Sequence, residues 1–120
     1  MSKSKQHIET GKKGEDLAVQ FIVQKGFTIL ERNWRYKHCE VDIISYKEKT
    51  LHFFEVKTRT GKQLTNPETS VTSKKMNKLK EAAQEYLYQH PEWKLLQFNV
   101  LAITILNTGL PDIFLIEDVF

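Results

Sequence analysis

Several features that define whole classes of protein are missing from this 120-residue chain. Its single cysteine, Cys39, excludes an internal disulfide framework and a zinc site built from cysteines. No apolar run approaches the ~20 residues of a membrane-spanning helix. The lysine-rich start of the chain also lacks the apolar core of a signal peptide. We therefore expect a cytoplasmic protein.

Motifs of several common catalytic centres are absent as well. Gly11-Lys12-Lys13-Gly14 has neither the spacing nor the preceding strand of a phosphate-binding loop. The four histidines show no paired metal-ligand spacing, and no serine or cysteine lies in a recognisable nucleophile elbow. Carboxylates and lysines are left as the candidate catalytic groups.

The remaining composition, 40% hydrophobic and 28% charged, is that of an ordinary folded domain. We find no repeat or linker, and predict one domain over residues 1–120 with a flexible tail at 1–10. Periodicity and turn residues predict helices at 12–25 and 74–89, strands at 26–38, 40–46, 51–57, 95–105 and 113–116, and a long loop at 58–72. This order, α-β-β-β-α-β-β, predicts an α+β fold with helices flanking a mixed central sheet.

Residues 40–59 contain the most informative pattern, because alternating runs lie on both sides of Lys47-Glu48-Lys49-Thr50. A hairpin turn centred on Glu48-Lys49 places Asp42 opposite Glu55. The register predicts one face with Glu40, Asp42, Ile44, Phe53, Glu55 and Lys57, and a core face with Val41, Ile43, Ser45, His52, Phe54 and Val56.

Two facing carboxylates, with Cβ atoms ~5 Å apart, destabilise a hairpin unless something offsets their repulsion. A hard divalent cation held by oxygen ligands would do so. Such a cation would polarise a phosphodiester and activate water, while Lys57 would orient that water or balance charge. A solvated hairpin face of acids and lysines is the alternative interpretation.

Basic residues are unevenly spread, although the net charge is only +3. Residues 107–120 contain no lysine or arginine. Three basic clusters lie elsewhere, at Arg32, Arg35 and Lys37, at Lys57, Arg59 and Lys62, and at Lys74, Lys75, Lys78 and Lys80. Such clusters around an acidic centre favour a polyanionic partner, and a surface of mixed charge is the alternative.

Several motifs resemble those of the YraN-like family of small bacterial proteins. They are Gly14-Glu15-Asp16-Leu17-Ala18, Gly26-Phe27, Arg32-Asn33-Trp34-Arg35, Glu40-Val41-Asp42-Ile43-Ile44 and Phe53-Phe54-Glu55-Val56-Lys57-Thr58-Arg59. That family is similar in turn to Holliday-junction resolvases and to the PD-(D/E)xK nuclease superfamily. The resemblance spans nearly the whole chain and implies a restriction-endonuclease-like core.

The resemblance also implies roles for particular residues. Asp42, Glu55 and Lys57 match the signature acids and lysine, and Glu15 matches a helix glutamate. Asp42, Glu55 and Glu15 would then bind Mg²⁺ or Mn²⁺. Glu15 has a simpler interpretation too, as a first-turn acid favoured by the helix dipole. The chain departs from the family where Cys39 replaces a glycine and Asn99 an acid.

Three hypotheses follow. The leading one is a metal-dependent, resolvase-like endonuclease that cuts branched or structured DNA as a homodimer. Its DNA contacts would include Arg32, Arg35, Arg59, Lys62 and Lys74. The first alternative is a nucleic-acid-binding protein on the same fold with little or no cleavage. The second is an interaction module whose acidic face binds a structural cation.

Overall fold

The computed structural model describes residues 5–61 and 73–119, with side chains over 12–61 and 74–119. It contains helices α1 (Lys5–Gln24) and α2 (Ser73–Gln89) and strands β1 (Thr28–Tyr36), β2 (Cys39–Lys47), β3 (Thr50–Thr60), β4 (Leu95–Ile105) and β5 (Pro111–Ile116). The predicted order of elements is confirmed. Neither helix of the described ranges is long and apolar enough to cross a membrane.

The five strands form one mixed sheet in the order β1-β2-β3-β4-β5. Strands β3 and β4 are parallel, and α2 forms the crossover connection that a parallel pair requires. The other neighbouring strands are antiparallel. The parallel ladder runs from Thr50 opposite Leu95 to Thr60 opposite Ile105. The second strand of the hairpin, β3, is thus the central strand of the sheet.

The two helices contribute to separate clusters of buried residues. Ala18 and Ile22 of α1 pack with Ile43 and Phe54. On the other side, the cluster that includes α2 contains Leu79, Ala82, Ala83 and Tyr86 together with Val41, Ile44, Leu51, Phe53 and Phe98. Strands buried on both faces are rich in consecutive apolar residues, which accounts for Ile43-Ile44 and Phe53-Phe54.

The predicted hairpin register is confirmed from Ile43 opposite Phe54 to Lys47 opposite Thr50. The prediction of a single core face is wrong, because Ile44 and Phe53 are as fully buried as Ile43 and Phe54. Val41 also shares the α2 cluster with Ile44, although strict alternation would put them on opposite faces. The alternation of β2 is therefore interrupted between these residues, at the position of Asp42.

Two predicted boundaries are corrected. Helix α1 begins at Lys5 instead of residue 12, inside the segment 1–10 that we predicted to be a tail. Gly11 lowers helix propensity by roughly 1 kcal/mol but does not end the helix. Strand β3 continues through Thr60, since β4 supplies partners along its whole length. The rest of the predicted loop, residues 62–72, lies outside the described residues.

Gly14 determines how closely α1 approaches the sheet. A Cβ atom at this position would overlap the Thr58 side chain, whose Oγ1 and Cγ2 atoms are the nearest neighbours. The helix therefore contacts β3 directly at the residue that precedes Glu15 and one residue beyond Lys57. This contact holds α1 at a fixed distance from the strand that contains the candidate site.

We expect Gly14→Ala to lower the free energy of unfolding by about 1–3 kcal/mol, because the overlap outweighs the gain in helix propensity. Adding Thr58→Ala removes the two closest of the three overlapping atoms, Oγ1 and Cγ2, and should recover part of the loss. Urea denaturation of both single variants and the double variant measures this coupling. Losses that simply add in the double variant would contradict the close contact.

Candidate active site

The candidate site begins where β2 and β3 separate. Their backbone pairing ends at Ile43 opposite Phe54. Asp42, the residue that precedes Ile43 in β2, lies just beyond the paired region. The Asp42 Oδ2 atom accepts a hydrogen bond of 2.7 Å from the backbone N–H of Val56. A side-chain carboxylate thus takes the place of a backbone carbonyl, which fixes Asp42 against β3 beside Glu55.

The electrostatics of this position favour a proton on Asp42. Burial, followed by the negative charge of Glu55, raises the pKa of Asp42 from 3.8 to about 7. The charge of Glu40 and a side-chain hydrogen bond with Glu55 raise the pKa further, whereas the Val56 N–H lowers it. The repulsion expected from two facing acids is therefore present in the structure.

Two lysines lie next to this acid pair. Lys57 Nζ is 3.8 Å and Lys75 Nζ is 3.2 Å from the same atom, Glu55 Oε1. Burial, followed by the hydrogen bond and charge of Lys75, lowers the pKa of Lys57. The hydrogen bond with Lys57 raises the pKa of Lys75. Asp42, Glu55, Lys57 and Lys75 form a compact group, which we call the acid–lysine cluster.

Glu15 is engaged elsewhere. Its Oε1 atom accepts hydrogen bonds from Arg32 Nη2 at 2.9 Å and from Asn33 Nδ2 at 3.0 Å. The same arginine nitrogen is 2.8 Å from Asp16 Oδ1. Within residues 12–61 and 74–119, no three His, Cys, Asp or Glu side chains are grouped so that they could hold a metal. The structure brings Asp42 and Glu55 together but does not add Glu15 to them.

The residues predicted to contact nucleic acid have varied surroundings. Arg32 pairs with Glu15 and Asp16, and Arg35 Nε is 3.1 Å from Glu40 Oε2. Arg59 Nε donates to Thr104 Oγ1 at 3.1 Å. Lys74 is exposed at the first turn of α2. Lys62 lies outside the described residues.

The sequence interpretation selected Lys74 and overlooked Lys75. The sequence pattern could have indicated Lys75, because it lies four residues before Leu79, which is buried in α2. Residues at this spacing share a helix face. The helical phase therefore directs Lys75 toward the sheet and Lys74 toward solvent.

Cys39 and Asn99, the two residues that depart from the family pattern, are both buried and hydrogen-bonded. The Cys39 thiol is 4% exposed and donates to Glu81 Oε2 at 2.9 Å. This hydrogen bond, together with burial, raises the pKa of Cys39. Asn99 is fully buried, contacts His52 Nδ1 at 3.0 Å and accepts from the Asp118 N–H at 3.1 Å. Both residues therefore join neighbouring elements, and these hydrogen bonds go to residues outside the acid–lysine cluster.

The chain was compared with known proteins. The model of the uncharacterised protein family UPF0102 matches residues 14–103. A UPF0102 protein of Christiangramia forsetii is 39% identical over 115 residues, which cover 96% of each chain. One from Flavobacterium psychrophilum is 38% identical over 98 residues, covering 82% of each chain, and one from Chloroherpeton thalassium is 37% identical over 122 residues, covering 95% of each.

We expect Asp42→Asn to change how stability depends on pH. Because the pKa of Asp42 is about 7 in the fold and 3.8 is its usual value, folding takes up a proton between these limits. The wild type should therefore lose stability as pH rises from about 4 through about 7, whereas asparagine keeps the accepting oxygen and does not titrate. The variant should be more stable than the wild type at pH 8, by roughly 2–4 kcal/mol, and the gap should shrink at pH 5.

Urea denaturation at both pH values measures this difference. Asp112→Asn, which changes an exposed carboxylate of β5, is the matched control and should show no such dependence. An equal gap between Asp42→Asn and the wild type at pH 5 and pH 8 would contradict the raised pKa.

Proposed function

The chain belongs to the uncharacterised protein family UPF0102, and from the geometry of its acid–lysine cluster we propose that it is a metal-dependent DNA endonuclease. The reaction is hydrolysis of a phosphodiester in branched or structured DNA, as in the resolvases that its motifs resemble. We place the protein in the cytoplasm and expect two copies to act together, because cutting two strands requires two active sites.

The observation that supports this proposal most strongly is the forced proximity of Asp42 and Glu55. A partly buried acid lies beside a second acid that contacts two lysines, and this arrangement perturbs the pKa values of Asp42, Lys57 and Lys75. Perturbed groups of this kind concentrate at functional sites. Apart from the acceptor that Asp42 offers to the Val56 N–H, the packing of the sheet requires no carboxylate here, since Val41, Ile43 and Phe54 are buried and Val56 is partly buried.

The donor set fits one hard divalent cation. Mg²⁺ typically binds through one or two carboxylates and completes its coordination with water and substrate phosphate oxygens. Asp42 uses Oδ2 for the Val56 N–H, which leaves Oδ1 and the Glu55 carboxylate as hard oxygen donors. We therefore assign Mg²⁺ or Mn²⁺ to Asp42 and Glu55, with Glu15 as a ligand only if its bonds to Arg32 and Asn33 open.

The chain's own residues have separate tasks in this proposal. When bound, the cation supplies polarisation of the phosphate and a lower pKa for bound water. The Val56 N–H holds Asp42 in place. Lys57 is partly buried and its pKa is lowered, so it can accept a proton from the attacking water as the amine or donate a hydrogen bond to the phosphate as the ammonium. Lys74 and the arginines of β1 would contact the DNA backbone.

One observation favours the alternative of a nucleic-acid-binding protein that does not cut. Glu15, the third acid implied by the resemblance, is bonded to Arg32 and Asn33. A site with two acids holds a cation less firmly than one with three. The same fold and basic residues would still bind a polyanion, with an affinity that falls as salt rises.

The decisive experiment incubates the protein with linear, nicked, flap and four-way DNA in Mg²⁺, Mn²⁺ or EDTA. We expect metal-dependent cleavage that Asp42→Asn and Glu55→Gln each reduce by about 100-fold or more. The Asp112→Asn variant, which loses an exposed carboxylate of β5, is the control. It should cleave DNA like the wild type. Gel analysis of end-labelled strands measures both rate and cut position.

The other outcomes separate the hypotheses. Salt-sensitive DNA binding without cleavage, equal in the wild type and both acid variants, would favour the non-cutting alternative. No DNA binding at low salt would overturn both. Cleavage that persists in EDTA would exclude the proposed metal even if the protein is a nuclease.

A further inference from the structure

The Glu55 carboxylate is shared by two lysines from different elements. Lys75 Nζ approaches Glu55 Oε1 more closely than Lys57 Nζ does, 3.2 Å against 3.8 Å. Lys57 belongs to β3, next to Glu55 in the sheet, whereas Lys75 reaches the site from the first turn of α2. The positive charge that the acid pair attracts is thus supplied partly from outside the hairpin.

The two lysines differ in how easily they can leave. The Lys57 side chain is 25% exposed and that of Lys75 is 48% exposed. Lys57 lies on a central strand, whereas Lys75 lies on a helix whose anchor, Leu79, is one turn further along. The flexible Lys75 stem can therefore swing its ammonium into solvent without disturbing the packing of the helix.

A divalent cation at Asp42 and Glu55 would repel an ammonium held at the same Glu55 oxygen. We propose that Lys75 is a positioning residue that acts as a counter-ion for Glu55 and is displaced when a divalent cation binds the acid pair. This inference rests on the proposed metal site. Its consequence is that Lys75 and the cation compete for Glu55, so the lysine weakens metal binding.

Displacement also gives Lys75 a second position. The Lys75 side chain is half-exposed, so an ammonium that leaves Glu55 turns toward solvent, from which the phosphates of a DNA substrate would approach. Positive charge at that place attracts phosphate. Metal binding would thereby turn Lys75 from the acids toward the substrate. Lys75 would then couple the binding of the cation to the binding of DNA.

The test is a calorimetric titration of the full-length protein with Mn²⁺ at pH 8 in the absence of DNA. We expect Lys75→Gln to bind Mn²⁺ about tenfold more tightly than the wild type, because a nearby like charge is removed. Lys75→Arg keeps the charge and should stay within about threefold of the wild type. Lys78→Gln, an equal charge loss at an exposed position of the same helix, should bind like the wild type.

A lysine with a merely structural role would not strengthen metal binding when removed, so the direction of the change is diagnostic. Unchanged or weaker Mn²⁺ binding by a folded Lys75→Gln, checked by circular dichroism, would overturn the inference and leave the metal site standing. Saturable binding that Asp42→Asn abolishes supports that site independently. If neither the wild type nor Lys75→Gln binds Mn²⁺, both the inference and the proposed function fail.

Discussion

The hydrogen bond from the Val56 amide to Asp42 is the interaction on which the candidate site depends. The N–H of the partly buried Val56 needs an acceptor, and at this point the backbone of β2 no longer pairs with β3. A bond to a charged acceptor is worth roughly 1.5–3 kcal/mol. That contribution acts against the repulsion between Asp42 and Glu55 and keeps the first carboxylate where the second one faces it.

The surrounding fold makes this unfavourable arrangement tolerable. Both faces of the hairpin are covered next to the acids, where Ile43, Ile44, Phe53 and Phe54 are fully buried. The apolar clusters on the two faces hold β2 and β3 in register up to the position where they part. Strain of this kind persists only when the structure around it is over-determined. The acids and lysines then lie at the margin of a rigid core.

Much of this arrangement could be predicted from the sequence. Strand-period alternation and the short polar turn gave the hairpin register, and the register alone paired Asp42 with Glu55. Alternation could not reveal the interruption at Asp42, because an irregularity in a strand leaves no periodic signal. Nor could it show that both faces are buried, since that depends on where α1 and α2 pack. The family resemblance implied that Glu15 joins the two acids, but Arg32 of β1 binds it instead, and no local sequence pattern shows that long-range contact. Lys75 could have been predicted from helical spacing, because Leu79, four residues later on the same face of α2, is buried.

The buried thiol at the start of β2 has a practical consequence. Cys39 is the only cysteine of the chain, and its sulfur is covered by α2 and held protonated by Glu81. Thiol reagents need an accessible thiolate, so the folded protein should resist them until α2 lifts from the hairpin. The rate at which the Cys39 sulfur is labelled therefore measures how often α2 separates from the hairpin. No engineered probe is needed for this measurement, because the chain contains no second cysteine.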